Sequence, residues 1–335
     1  IGARVDGAMT VLKIAIVFFV VIVGFFYVKA SNFTPFIPPS QPASTVEGSS
    51  AVTGVMTQPL WQFATGMTPS VYGVPGILSG AALVFFAFIG FDVVATASEE
   101  TKNPHKNVPL GIGVGMLLII VMYMLVAVVT TGMVSYADLA KQDSPSLATA
   151  FELVGADWAA KIISFGIVLG LATVVMVLLL GLTRIVFAMS RDGLLPRGLS
   201  KTGKHGTPAA LQIVVGAVVA LVAAFFDIGV LSDMVNIGTL SAFTLVAISI
   251  PIMRKKRPDL PRAFKMPGNP WIPILIAVAN FWLMLNLSVL TWIRFVVWLV
   301  VGFAIYFGYG YWHARLGKGD LTETLSAETD KAVNG

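Results

Sequence analysis

The run Phe85-Phe86-Ala87-Phe88-Ile89-Gly90-Phe91-Asp92 puts a glycine and a carboxylate inside an apolar stretch that extends from about Ile77 to Ala97. Hydrocarbon demands a fully hydrogen-bonded helix, and irregular backbone at membrane depth survives only where protein or a wet cavity covers it. Unwinding at Gly90 would leave carbonyl oxygens without intrahelical partners, able to accept from an ammonium group. The chemistry this predicts is the non-covalent holding of a polar small molecule.

The ionisable residues that stand out inside apolar runs are Lys13, Asp92, Arg184 and Asp233. Each costs about 2.5–3.5 kcal/mol at a helix centre on insertion scales, so each needs a reason. Lys13 either snorkels to the headgroups along its apolar stem or takes and releases a proton, since desolvation disfavours its charged form. Asp92 either caps a second half-helix by accepting from freed N–H groups or senses a proton or mobile cation. Arg184 reads as an inner-leaflet anchor and Asp233 as a solvated residue near the outer surface. The aromatic cluster Phe85, Phe86, Phe88 and Phe91 is ordinary membrane-helix bulk unless it brackets a break.

The other chemistries find little support. There is no cysteine, hence no thiol nucleophile and no Cys-ligated metal, and His105, His205 and His313 are scattered. No phosphate loop and no Ser/His/Asp set at one depth occurs, so no cofactor is expected. A membrane-embedded enzyme would need several polar residues meeting at one depth, and only Asp92 lies near mid-span. The basic runs are short and juxtamembrane, which gives nucleic-acid binding no basis.

The elements that must position these residues are long helices. Of 335 residues 56% are hydrophobic and 12% charged, against about 25% charged in soluble domains, and mean hydropathy is +0.85. Several apolar runs exceed the roughly 18 residues that cross a bilayer core. An all-α polytopic membrane protein is predicted, with eight transmembrane helices near 8–29, 77–97, 108–133, 159–189, 209–226, 231–253, 272–290 and 293–312. These make a transmembrane domain over 1–313, with an extracytoplasmic loop at 30–76 and a cytoplasmic tail at 314–335. Lys and Arg concentrate in alternate turns, as at Arg191, Arg197, Lys201 and Lys204 and at Arg254–Arg257. By the positive-inside rule both chain ends face the cytoplasm of a multi-pass cell-membrane protein. The pairs Gly111/Gly115 and Gly166/Gly170 allow close helix approach. Trp61 and Phe63 mark a short interfacial piece. The chain opens on Ile1 with no signal peptide before the first span, and is expected to be part of a longer protein.

Three segments carry a family resemblance: the second span with its turn, Gly80 to Ile112; the end of the fourth, Thr183 to Pro196; and the exit of the sixth, Arg254 to Arg262. Together they resemble the amino acid–polyamine–organocation (APC) permeases, in particular bacterial relatives of the cationic amino acid transporters. The resemblance implies a LeuT-like fold of twelve spans on a five-plus-five inverted repeat. This chain would supply spans five to twelve, the second repeat plus two C-terminal helices, without the broken first span that completes the site. It would not transport alone. The carbonyls of Phe86, Ala87 and Ile89 would face the substrate's α-amino group beside Phe88 and Gly90, with Phe86 as gate. Lys13 would stand where sodium-coupled cousins bind sodium, implying proton coupling; Asp92 matches a family carboxylate without a fixed role. Leu178, bulky where cationic-substrate members carry a small polar residue, implies a neutral amino acid. The implied function is permease activity by alternating access, a proton-coupled symport of an amino acid across the lipid bilayer. Its alternatives are cationic amino acid transport, or a non-transporting sensor or structural subunit.

Overall fold

In the computed structural model of the chain, residues 2–45, 54–91, 101, 103–142, 145–200, 209–258, 266 and 268–314 are described. The protein is an all-α polytopic membrane protein. Five helices are long and apolar enough to cross a bilayer: Gly7–Phe25, Lys106–Met133, Asp157–Arg191, Ile228–Lys256 and Val289–His313. Three shorter apolar helices, Gly73–Phe88, Ala209–Phe225 and Trp271–Leu285, accompany them. Large apolar side chains face outward all round these helices, Leu117 and Val168 among them. A helix apolar on every side has lipid as its solvent.

In chain order the helices are α1 (Gly2–Phe25), α2 (Leu60–Thr65), α3 (Gly73–Val84), α4 (Pro104–Met133), α5 (Tyr136–Ala140), α6 (Leu147–Leu153), α7 (Asp157–Arg191), α8 (Ala209–Phe225), α9 (Ile228–Lys256), α10 (Trp271–Leu285), α11 (Val289–Ile305) and α12 (Tyr311–His313). Some ends differ from the expected ones for local reasons. Pro104 opens α4, because a missing N–H costs nothing in a first turn. Asp227 accepts from Gly229 N–H at 2.7 Å beside the start of α9. The seventh and eighth spans divide at Asn286–Ser288 rather than after Leu290, since Ser288 Oγ accepts from Thr291 N–H at 3.2 Å and caps α11.

The chain forms two compact units, Ile1–Val175 with Ser232–Trp292, and Met176–Leu231 with Ile293–Gly335. The core of the first joins Val20 of α1 to Val129 and Met133 of α4, Phe151 of α6 and Ala159, Ala160 and Ile163 of α7. Gly24 and Gly166 let α1 approach closely. A Cβ at Gly24 would lie 2.8 Å from Met133 Sδ and 3.3 Å from Phe151 Cζ, and one at Gly166 would strike Ile16. Of the two expected glycine pairs, Gly166/Gly170 therefore packs on α1, whereas Gly111 and Gly115 face open space among the described residues. Gly24→Val should cost about 1–3 kcal/mol by overpacking, read as a lower thermal midpoint in detergent.

The expected loop carries backbone pairing among its described residues. Gln41–Pro42 pairs antiparallel with Ser70–Val71. The segment around α2 ties to the α10–α11 turn: Leu60 N–H donates to Leu287 O at 3.0 Å, Val289 N–H to Gln58 O at 3.1 Å and Leu290 N–H to Met56 O at 2.8 Å. Trp61 stacks on Trp282 with centroids 6.4 Å apart, so Trp61 docks the loop and only Phe63 of the expected pair is exposed. Beyond α4, Ser135 caps α5, its hydroxyl donating to Asp138 Oδ2 at 2.7 Å. That bond first, then the Lys141 ammonium at 3.4 Å, holds the Asp138 carboxyl below the usual carboxylate range.

In the second unit the end of α7 turns through Gly193, whose φ of +84° suits glycine. Ser190 O–H donates to Pro196 O at 2.7 Å and fixes that turn. A π-helical turn at Tyr306–Gly310 precedes α12, and Tyr309 stacks on His313 at 4.2 Å.

Candidate functional site

The second apolar span loses its α-helical winding where the sequence predicts. From Gly73 to Val84 it is α-helix; Phe85–Phe88 tightens to a 3₁₀ turn, and Ile89 goes extended at φ −67°, ψ 138°. Gly90 then takes φ +122°, a conformation that side chains with a Cβ rarely reach. A Cβ there would meet nothing within 4 Å, so the glycine serves the backbone path and not a close approach. Phe91 is again helical, and Asp92 lies outside the described residues.

The four phenylalanines divide their tasks. Phe85 meets the Phe243 ring of α9 edge-on at 6.2 Å, and Phe91 meets the same ring at 5.2 Å. One aromatic side chain thereby holds both sides of the break. Phe88 packs edge-on against Tyr123 of α4 at 5.1 Å. Phe86 is 43% exposed and is the member left without a ring partner among the described residues.

The carbonyls differ in availability. Phe86 O accepts the Ile89 N–H at 3.2 Å. Ala87 O accepts the Tyr123 hydroxyl at 2.7 Å. No hydrogen bond reaches Ile89 O among the described residues. Sequence reasoning missed Tyr123, although a phenol inside the apolar run of α4 signals a polar tip in need of a partner. It also missed Asn236 of α9, fully buried with neither amide atom hydrogen-bonded among the described residues. Asn236 lies seven residues before Phe243, roughly 10 Å along the helix axis.

Lys13 is half-buried on α1, its Cε 3.9 Å from the place a Cβ would occupy on Gly170 of α7. It has no polar partner among the described residues. Phe86, Ala87, Phe88, Ile89 and Gly90 are contiguous at the break, while Leu178 belongs to the second unit and is 41% exposed. Asp233 is not the solvated residue expected: it is half-buried, and Thr291 O–H donates to its Oδ2 at 3.0 Å, joining α9 to α11. Arg184 is exposed on α7. A groove of about 520 Å³ lies elsewhere in the first unit, lined by Tyr27, Lys29, Asn32, Ser135 and Asp138 among others; it includes none of the expected site residues.

Helices apolar on all faces, one of them unwound partway along its apolar run, define a polytopic α-helical membrane protein. The chain belongs to the amino acid permease family, whose model matches residues 1–311. It is 42% identical over 316 residues to a branched-chain amino acid permease of Bacillus subtilis, covering 94% of this chain and 61% of the relative. A methylthioribose transporter of the same organism is 39% identical over 318 residues, covering 95% and 61%. The mitochondrial cationic amino acid transporter 3 of Arabidopsis thaliana is 45% identical over 195 residues, covering 58% and 31%. The chain thus spans about three-fifths of the length of the two bacterial relatives.

Proposed function

We propose that this chain forms the larger part of a secondary carrier that moves a neutral amino acid across the cell membrane by alternating access. The observation that carries the proposal is the loss of α-helical winding at Phe85–Gly90 inside an apolar span. The substrate's ammonium group meets backbone oxygen at Ala87 and Ile89, and Phe86, the exposed ring, gates access. The three shorter apolar helices join the five long ones as eight spans, the second inverted repeat and two further helices, with both described ends on the cytoplasmic side. Lys13 carries the coupling proton, supported by its half-buried place on α1 beside Gly170. Asp92 either caps a second half-helix beyond the break or joins Lys13 in coupling.

Neutral selectivity is supported by the bulk of Leu178 and by the name of the branched-chain relative. The cationic transporter among the relatives favours the second reading, uptake of arginine or lysine. A full-length protein carrying this chain, reconstituted in liposomes, is expected to take up leucine in preference to arginine. Preference for arginine would overturn the neutral assignment, and binding without flux would make the protein a sensor. Methylthioribose has no ammonium group, so its uptake in preference to leucine would remove the basis for recognition at the break.

A further inference from the structure

The bond between Tyr123 and Ala87 falls on an oxygen that the proposed site assigns to substrate. It is 2.7 Å long and joins residues 36 apart in sequence, within the optimum for O–H···O. The Phe88 ring, edge-on to the phenol at 5.1 Å, holds it in place. We propose that the Tyr123 hydroxyl is a stand-in for the substrate ammonium: it occupies Ala87 O while the site is empty and competes with the substrate for it. This rests on the site reading above.

The physical reason lies in the surroundings. A carbonyl freed from its helix in an apolar span is costly if left unsatisfied. Tyr123 satisfies it in the empty protein and at the same time ties the broken segment to α4. An ammonium group makes charge-assisted hydrogen bonds about twice as strong as neutral ones, so the substrate displaces the phenol. Release of the phenol frees the segment from α4, and the segment then moves only when loaded. Tyr123 is on this account a positioning residue that acts through Ala87.

Tyr123→Phe keeps the ring and its contact with Phe88 and removes only the donor. In nanodiscs, the full-length protein carrying this substitution is expected to bind leucine about fivefold more tightly than the unaltered full-length protein, the factor set by one net hydrogen bond. Amide exchange over Phe85–Phe91 in the ligand-free variant should rise by a similar factor. A carbonyl has two lone pairs and could serve both donors at once. Equal or weaker leucine binding in Tyr123→Phe would therefore overturn the competition and leave the site standing. Absence of leucine binding in both forms would overturn the competition and the site together.

Discussion

Gly90→Ala is expected to weaken leucine binding by about 5- to 150-fold. The φ of +122° at Gly90 lies where a residue with a Cβ is held only at a cost of about 1–3 kcal/mol, and each 1.4 kcal/mol is about tenfold in affinity. The methyl group itself meets nothing within 4 Å, so crowding does not contribute. Alanine also favours continued α-helix, which would draw Phe88 and Ile89 back into hydrogen-bonded winding and close the carbonyls to the ligand. Gly80→Ala is the matched control: it lies on α3 within the same apolar span, and its Cβ likewise has open space. Calorimetric titration of both variants should show loss at position 90 and little change at position 80. Equal affinities would mean that the left-handed turn is not needed for binding.

Lys13→Ala is expected to abolish uptake driven by a pH gradient in the full-length protein while leaving leucine binding measurable. Lys13 is half-buried on an apolar helix, and an ionisable side chain that costly to place inside a membrane span is a candidate for proton transfer. The neighbour across the helix contact is Gly170, which offers no polar side chain to fix the charge. Proteoliposomes with imposed inward and outward pH gradients give the test. If uptake by Lys13→Ala still follows the gradient, Lys13 is a snorkelling residue and the proton travels elsewhere.

The break was legible because its cause is local: a glycine between aromatic residues in a run that otherwise satisfies the demand for continuous helix. Long helices were legible for the same reason, as length and apolarity suffice. What escaped the sequence depends on partners far away in the chain. The hydroxyl of Tyr123 and the oxygen of Ala87 meet only once α4 packs on the broken segment. Asp233 looked solvated because its position near a helix start hides Thr291, 58 residues on. The loop's Pro, Ser and Gly content says nothing of the backbone bonds that Met56, Gln58 and Leu60 make to the α10–α11 turn. The boundary at Ser288 is an error of another kind: a capping serine was present in the sequence, but the apolar residues on either side read as one run. Leu178 was singled out through family resemblance alone, and its surroundings on α7 carry no independent sign of selectivity.

The most direct test of substrate recognition at the broken helix is carbon-13 NMR of the backbone carbonyls of Ala87 and Ile89, selectively labelled in the protein in nanodiscs. Leucine should shift both resonances in a saturable manner, and 4-methylpentanoate, the same molecule without its ammonium group, should shift neither. Carbonyl resonances that stay fixed with saturating leucine, or that move equally with both compounds, would contradict recognition of the ammonium group by the unwound backbone.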